Sequence, residues 1–149
     1  MKPMTKLSKD FEIWEFACGC GCGYEDIDLK LVDKLQMLRD LVGKPIVVTS
    51  GCRCERYNKH IGGVSNSPHL LGLAADIYCK NIDIYKLAGR ADLIFSRIGL
   101  YPDNHFIHVD IVPPSPSKFW VRHNGKYKYF RPPLNHYDDV MNYIIKKNL

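Results

Sequence analysis

The sequence predicts an α+β fold in which a mostly antiparallel sheet is flanked by helices. Apolar residues recur at helical spacing in three separate segments, which indicates amphipathic helices. Short runs rich in β-branched and aromatic residues indicate strands between and after them. The pair Asn124-Gly125 separates two of these runs and is a strong signal for a tight antiparallel hairpin. Helices combined with short antiparallel strands are typical of the α+β class.

The first half of the chain is expected to contain two helices and two strands. Asp28 is the predicted N-cap of a helix that ends at the C-cap Gly43. Its inward face is expected to carry Leu31, Leu35, Leu38 and Val42. A short, largely buried strand is predicted over residues 46–49, a short helix over 55–60 and a second strand over 74–78. Upstream of these elements, Trp14 and Phe16 are the expected anchors onto the core.

The second half is expected to begin with a helix and to continue as strands. Asp83 is the predicted N-cap of a helix that runs to about residue 96, and Asp138 is predicted to begin the last helix. Between them the predicted strands are residues 99–101, 106–111, 119–123 and 126–130. Strict alternation along the second of these places Phe106, His108 and Asp110 on one face.

A single domain spanning residues 1–149 is expected, because 149 residues suffice for one core but hardly for two. Its core is predicted over residues 16–112, with a hairpin and helix over 117–147 packed against it. No apolar run approaches the roughly 18 residues of a membrane span, so no membrane insertion is expected. Residues 1–15 lack the apolar segment of a secretory signal, which predicts synthesis in the cytoplasm without a signal peptide.

The formal charge of +5 is modest and spread along the chain. It fits either a solvated basic surface or attraction to a polyanion such as an anionic cell wall. The dense basic and aromatic pattern of a nucleic-acid-binding module is absent from the sequence, so no nucleic-acid partner is expected.

The sequence contains six cysteines, an unusual number for this length. Three are separated by single glycines, two flank Arg53, and one stands alone: Cys18, Cys20, Cys22, Cys52, Cys54 and Cys79. This spacing differs from the Cys-x2-Cys pattern of common zinc fingers. Reduced thiols, a second, structural metal ion and disulfides are therefore all open as states of these residues.

The segment 65–76 and the strand 106–111 carry the residues that indicate a metal site. His69 and Asp76 lie seven residues apart, and His108 and Asp110 alternate along an apolar strand. A carboxylate in an otherwise apolar strand needs a partner to offset its desolvation. Two nitrogen ligands and one oxygen ligand, with a fourth position open, suit a catalytic zinc. A surface or capping role for His69 is the alternative from these residues alone.

Several motifs occur together in this chain, namely Ser50-Gly51-Cys52-Arg53, Asn58, Gly62-Gly63, Ser67-Pro68-His69-Leu70-Leu71-Gly72-Leu73-Ala74-Ala75-Asp76, Tyr101-Pro102 and Phe106-Ile107-His108-Val109-Asp110. In kind and order they resemble the M15 family of zinc peptidases, over about residues 16–111. The most similar branch is typical of phages and prophages and includes D-alanyl-D-alanine carboxypeptidases and peptidoglycan endopeptidases. The resemblance implies the small fold shared with the Hedgehog signalling domain.

The resemblance also implies roles for individual residues. His69, Asp76 and His108 would ligate one catalytic Zn²⁺. Arg53 would bind the substrate carbonyl and stabilise the oxyanion that develops during the reaction. Ser67 would either bind substrate or orient the loop that carries His69.

The general base is where this sequence departs from the family pattern. One branch has a glutamate three residues before the last histidine, where this chain has His105, and another has a histidine two residues before it, where this chain has Phe106. Histidine can accept a proton at neutral pH, so His105 is our predicted base, although strand alternation directs it away from His108. Asp110 is predicted to be the hydrogen-bond partner of a ligating histidine, with the base as its alternative role.

The predicted function is zinc-dependent hydrolysis of peptide bonds in bacterial cell-wall peptidoglycan. The expected partner is a peptidoglycan peptide and the expected state is a monomer, which would act on the cell wall during phage or prophage release or from a virion. Carboxypeptidase and endopeptidase activities are both open. The alternatives are a non-catalytic, Hedgehog-like zinc-containing binding module and a small metal-binding adaptor organised by the cysteines.

Overall fold

In the computed structural model, which describes residues 5–114 and 116–149, helices alternate irregularly with strands. The helices are α1 (Leu29–Val42), α2 (Glu55–His60), α3 (Ile84–Ala91) and α4 (Tyr137–Lys146). The strands are β1 (Ile46–Ser50), β2 (Ala74–Cys79), β3 (Arg97–Tyr101), β4 (Phe106–Asp110), β5 (Phe119–His123) and β6 (Lys126–Phe130). Two short 3-10 helices, Ile13–Phe16 and Pro68–Leu71, lie in the connections. Within these described residues, no helix is both long and apolar enough to cross a membrane.

The six strands form one sheet in the order β1-β2-β4-β3-β5-β6. Neighbouring strands are antiparallel except for β3 and β5, which pair in parallel. Asn124 and Gly125 both have positive φ, 52° and 75°, as the tight turn between β5 and β6 requires. The predicted α+β class and the mostly antiparallel sheet are therefore confirmed. The likeness to the Hedgehog domain and the boundaries of a single domain stay predictions.

Helix α1 begins and ends where its sequence predicts. The Asp28 side chain accepts a hydrogen bond from the amide of Lys30, and Gly43 has the left-handed φ of 72° that is common after a helix. Leu31, Leu35 and Leu38 are buried on one face. Helix α3 is shorter than predicted and ends at Ala91, because residues 92–94 turn the chain toward β3. Helix α4 begins at Tyr137, one residue before the predicted start at Asp138, and its N-cap is His136, whose amide donates to the Asp139 carboxylate.

Two predictions of burial were wrong. Strand β1 was expected to be largely buried, but only Ile46 is, and Val47 is 38% exposed. The reason is topological, since β1 is an edge strand that pairs with β2 alone among the described strands. Trp14 was expected to anchor the N-terminal segment, but it is 63% exposed and its indole N–H donates to Glu12. Phe16 fills that role and is fully buried, together with Phe11 of the same segment.

The apolar core lies against one face of the sheet. Side chains from the centres of the strands meet residues of α1, α3 and α4 there, including Ile77, Ile98, Leu100, Ile107, Val109 and Val121. Because side chains alternate between the two faces of a strand, the residues between these point to the opposite face. That opposite face carries the residues of the candidate site.

Candidate metal centre

A row of directly paired residues crosses the middle of the sheet on the face away from the core. Asp76 of β2 pairs with His108 of β4, His108 pairs with Gly99 of β3, and Gly99 pairs with Trp120 of β5. Directly opposite residues in a sheet have Cβ atoms about 4.5–5.5 Å apart. The register of four strands therefore brings a carboxylate, an imidazole and an indole together, although they come from distant parts of the sequence.

The 3-10 helix Pro68–Leu71 brings His69 to the same place. The Ser67 hydroxyl accepts a hydrogen bond from the His69 amide at 3.3 Å and so caps this helix. The His69 side chain is buried, and its Nδ1 lies 2.7 Å from the carbonyl oxygen of Gly51. A carbonyl only accepts hydrogen bonds, so Nδ1 carries the proton and Nε2 presents a lone pair. Ser67 therefore caps the turn that carries His69 and also lines the cleft, and both of its predicted roles stay predictions.

His108 is held from its other side by a buried ion pair. Its Nε2 lies 2.7 Å from Asp110 Oδ2, and the Asp110 carboxylate also accepts hydrogen bonds from Arg97 Nε and Nη2 at 2.9–3.1 Å. Asp110 is fully buried, and its pairing with Arg97 offsets the cost of that burial. With Nε2 donating to a carboxylate, Nδ1 of His108 presents its lone pair toward Asp76.

In this arrangement, lone pairs of His69 Nε2, His108 Nδ1 and Asp76 Oδ1 are directed at one point. Asp76 Oδ1 lies 3.1 Å from His69 Nε2 and 3.1 Å from His108 Nδ1. The three ligand atoms lie within 4.8 Å of one another. If each imidazole has its proton on the outer nitrogen, no proton lies between these acceptors, and a cation is needed there. Two imidazole nitrogens and a carboxylate oxygen, each histidine fixed by an outer hydrogen bond, form a donor set that fits zinc.

The protonation equilibria of the three groups agree with a site built for a cation. Burial favours the neutral form of Asp76, but His69 and His108 outweigh it and hold the pKa of the carboxyl below its usual range. Burial lowers the pKa of His69, which keeps the imidazole neutral. Burial also opposes protonation of His108, but hydrogen bonds with Asp110 and Asp76 outweigh it and raise the pKa of that imidazole. The negative charge that attracts a proton to His108 also attracts a metal cation.

Arg53 lies beside the three candidate ligands at the end of the loop after β1. Its Nη2 donates to Asp76 Oδ2 at 2.7 Å, its Nε to Ser50 Oγ at 2.8 Å and its Nη1 to Asn58 Oδ1 at 3.3 Å. The guanidinium is thus fixed on three sides in a nearly buried position. It also lines the cleft above the metal centre, where its remaining N–H groups can meet a ligand.

The candidate ligands lie at the floor of a cleft of about 610 Å³. One wall comes from the loop that contains Gly62, Gly63 and Ser67, and the other comes from strands β5 and β6. Among the described lining residues, the arginines are Arg53, Arg97, Arg122 and Arg131, and the one carboxylate is that of Asp76. Because the arginines outnumber the carboxylate, the cleft is cationic. Aromatic side chains complete the wall, namely Tyr101, Phe106, Trp120, Tyr127 and Tyr129.

The structure brings six of the seven predicted site residues together and leaves one apart. His69, Asp76, His108, Arg53 and Ser67 line the cleft, and Asp110 contacts His108 from behind, whereas His105 does not reach the cleft. His105 lies in the turn between β3 and β4 with a φ of 56°, is exposed, and lines a different pocket with Asp103 and His123. The turn conformation therefore places its imidazole on the other side of the strand.

Sequence reasoning did not identify Arg97, Trp120 or Arg122 as site residues. Arg97 lies before the predicted strand 99–101, but in the structure it is the first residue of β3 and pairs directly with Asp110 across the sheet. Trp120 packs 5.1 Å from the His108 ring, and its indole N–H donates to the Tyr101 hydroxyl. The alternation of the run 119–123 was a usable signal, but only the parallel pairing of β3 with β5 places that run beside the site.

Gly99 should be intolerant of substitution because Trp120 covers it. A Cβ atom added at residue 99 would lie 2.4 Å from two atoms of the indole ring. We expect Gly99→Ala to displace Trp120 from His108 and to destabilise the fold by about 1–3 kcal/mol, the usual cost of overpacking. Denaturant unfolding checks this, and Gly125→Ala in the open hairpin turn is the comparison for a purely backbone effect. An unchanged stability with an unchanged tryptophan fluorescence spectrum would contradict it.

Comparison with known proteins agrees with this geometry. A family model described as peptidase M15 matches residues 9–110 of the chain, which include His69, Asp76 and His108. A 45-residue segment is 49% identical to the zinc D-Ala-D-Ala carboxypeptidase of Streptomyces albus G. That segment covers 30% of this chain and 18% of the relative, so the two chains are similar over less than a fifth of the relative's length.

Proposed function

The chain belongs to the peptidase M15 family, and from this premise we propose that it is a zinc-dependent peptidase that cleaves peptide bonds in bacterial cell-wall peptidoglycan. The observation that carries the proposal is the convergence of His69 Nε2, Asp76 Oδ1 and His108 Nδ1 on one point at the floor of a cleft. The name of the Streptomyces relative supports both the metal and the wall substrate. The setting in phage or prophage release, or in a virion, and the monomeric state stay predictions.

His69, Asp76 and His108 would hold the zinc ion. When bound, zinc would supply Lewis acidity toward the scissile carbonyl and would lower the pKa of water. The chain's own residues would do the rest. Gly51 and Asp110 orient the two imidazoles, and Arg53 orients the Asp76 carboxylate from its second oxygen.

Arg53 would also stabilise the negative charge that develops on the carbonyl oxygen of the substrate. It lines the cleft next to Asp76, and its three protein contacts fix it before substrate arrives. A donor that is already oriented needs little reorganisation during the reaction, which is why such groups contribute strongly to catalysis.

The charge of the cleft favours a peptide that carries carboxylates. Arg122 and Arg131 line its outer wall, and Arg122 Nε is buried without a hydrogen-bond partner among the described residues. Guanidinium groups form strong hydrogen bonds with carboxylates, so the N–H groups of these arginines that face the cleft would stabilise a ligand carboxylate. Stem peptides of the cell wall, with their free carboxylates, suit such a site.

The test of this function is hydrolysis of purified wall peptides followed by mass spectrometry, with and without a chelator. We expect cleavage that the chelator abolishes and that added zinc restores. Peptides with a free C-terminal D-Ala and cross-linked peptides are compared, because the first report carboxypeptidase activity and the second endopeptidase activity. Cleavage that persists in the metal-free protein would contradict the proposal.

Variants of Asp110 and His105 form a matched pair, because Asp110 contacts the candidate ligand His108 whereas His105 lies outside the cleft. We expect Asp110→Asn to lower zinc affinity or kcat/KM by about 10- to 100-fold, because the partner that fixes His108 is weakened. His105→Ala should leave kcat/KM within about 2-fold, whereas loss of a general base costs about 10²–10⁴-fold. Zinc titration and steady-state kinetics on the same wall peptide measure both. A large loss in His105→Ala alone would restore His105 as the base.

A second candidate function is a non-catalytic zinc-containing binding module. The observation that favours it is that Asp76 is the sole carboxylate among the described residues lining the cleft, and it is a candidate ligand. A module of this kind would bind wall peptides without changing their mass. Binding measured by calorimetry, with no product over the whole peptide panel, would select it.

A further inference from the structure

Four cysteine sulfurs meet at a second place in the molecule, outside the cleft. Cys18, Cys20 and Cys22 come from the segment before α1, and Cys54 is the N-cap residue of α2. The Sγ atoms are separated by 3.5 Å for Cys18 and Cys20, 3.9 Å for Cys18 and Cys54, and 3.7 Å for Cys20 and Cys54. All four lie within 4.8 Å of one another.

These separations match a tetrahedral metal site rather than disulfide bonds. Disulfide sulfurs are about 2.05 Å apart, which is far shorter than any of the three distances. Sulfurs bound to zinc at about 2.3 Å in a tetrahedron are about 3.8 Å from each other. The observed range of 3.5–3.9 Å includes that value. The side chains are therefore arranged as four ligands around one point.

The backbone around the cluster supports thiolate ligands. The Cys54 amide donates to Cys18 Sγ and the Tyr57 amide to Cys54 Sγ, both at 3.4 Å. Hydrogen bonds from outer groups orient metal ligands in this way. Gly21 and Gly23 have positive φ of 80° and 91°, which lets three cysteines of one short segment turn toward a common point.

Two cysteines are excluded from this arrangement. Cys52 is buried and is absent from the four-sulfur group, although it is two residues from Cys54. Cys79, the last residue of β2, is also buried and donates to the carbonyl oxygen of Pro45. The geometry thus selects Cys54 over Cys52, a distinction that the spacing of the cysteines in the sequence did not make.

We propose that Cys18, Cys20, Cys22 and Cys54 bind a second zinc ion, which is structural because four protein ligands leave no open coordination position. The site shares no ligand with the cleft and does not depend on the proposed peptidase function. Cys20 and Cys22 are exposed, so the metal can load from solvent.

This zinc would connect the N-terminal segment to the loop that supports the cleft. Residues 51–54 contain Gly51, which orients His69, and Arg53, which contacts Asp76, immediately before the ligand Cys54. The Cys52 amide also donates to the carbonyl oxygen of Phe16, beside Cys18. The ion would therefore fix the position of the loop of residues 51–54, which supports the cleft.

The experiment is the metal content of the full chain purified under reducing conditions. We expect two zinc ions per wild-type chain, one in the Cys20→Ser/Cys22→Ser double variant and one in His69→Ala. The control Cys79→Ser should keep two. A double variant that folds and keeps the wild-type zinc content would overturn the proposal, and so would a wild-type chain whose only zinc is lost in His69→Ala.

A second measurement does not use the double variant and therefore covers the case in which that variant does not fold. X-ray absorption at the zinc edge of the wild-type chain should show sulfur ligands at about 2.3 Å in addition to nitrogen and oxygen ligands at about 2.0–2.2 Å. After replacement by Co²⁺, thiolate-to-cobalt charge-transfer bands should persist in His69→Ala. Absence of sulfur ligands from the spectrum of the zinc-loaded, reduced wild-type chain would overturn the proposal. Neither readout requires hydrolysis, so failure of the peptidase assay leaves this test intact.

Discussion

Replacing His69 with alanine should remove the zinc of the cleft and abolish peptide hydrolysis. His69 is one of three candidate ligands, and a buried acceptor set that loses one member holds a cation poorly. The loss of zinc affinity should exceed the roughly 10- to 100-fold that follows from changing an outer hydrogen-bond partner. Zinc titration by competition with a fluorescent chelator and kcat/KM on a wall peptide measure the two effects.

The matched control is His60→Ala, because His60 is an exposed histidine on α2 and is absent from the cleft. It should keep both zinc content and activity. Circular dichroism of His69→Ala is needed to show that the fold persists, since the substitution also removes the contact with Gly51. Wild-type hydrolysis in a folded His69→Ala chain would refute the role of this histidine.

Replacing Arg53 with lysine should lower kcat by about 10²–10³-fold, the usual effect of removing one preorganised donor from an oxyanion site. Lysine keeps the charge but cannot reproduce the three simultaneous contacts with Ser50, Asn58 and Asp76. Zinc should stay bound because the three ligands are unchanged. Alanine is a poorer choice here, since it would leave Asp76 without its buried cationic partner.

Arg56→Lys on the exposed surface of α2 is the comparison for a general effect of the same substitution. Steady-state kinetics on substrates of different length separate the contribution of Arg53 to transition-state stabilisation from its contribution to substrate binding. A fall in kcat at constant KM indicates stabilisation of the transition state, whereas a rise in KM alone indicates uniform binding of the substrate. Unchanged kcat in a zinc-loaded Arg53→Lys chain would exclude the proposed role.

Local signals predicted most of the elements because the relevant physics is local. The Asp28 cap, the Gly43 terminus and the Asn124-Gly125 turn are each determined by a few neighbouring residues, and all three are confirmed. Failures occurred where position in the sheet decides the outcome. Val47 has an apolar, β-branched side chain suited to a buried strand, yet β1 lies at an edge and leaves it partly exposed.

The candidate metal centre could be anticipated to a similar extent. The segment 65–76 and the alternation of His108 and Asp110 identified the candidate ligands, because chemistry and spacing are visible in sequence. Strand alternation already directed His105 away from His108, and His105 lies apart from the cleft, in a turn with a φ of 56°. The contribution of Trp120 required knowledge of a parallel strand pair formed by residues about twenty positions apart.

The parallel pairing of β3 with β5 has a consequence for how this protein can change over evolution. The family match ends at residue 110, after the candidate ligands and Arg53, whereas Trp120, Arg122, Tyr127 and Arg131 of the opposite wall come later in the chain. The candidate ligands and the opposite wall of the cleft are thus encoded in consecutive parts of the sequence, and among the described strands these parts pair only where β3 meets β5. We expect exchange of residues 117–131 between relatives to alter which peptides are accepted while zinc content is unchanged. Such a division would let this wall of the cleft change between family members while the three candidate ligands stay the same.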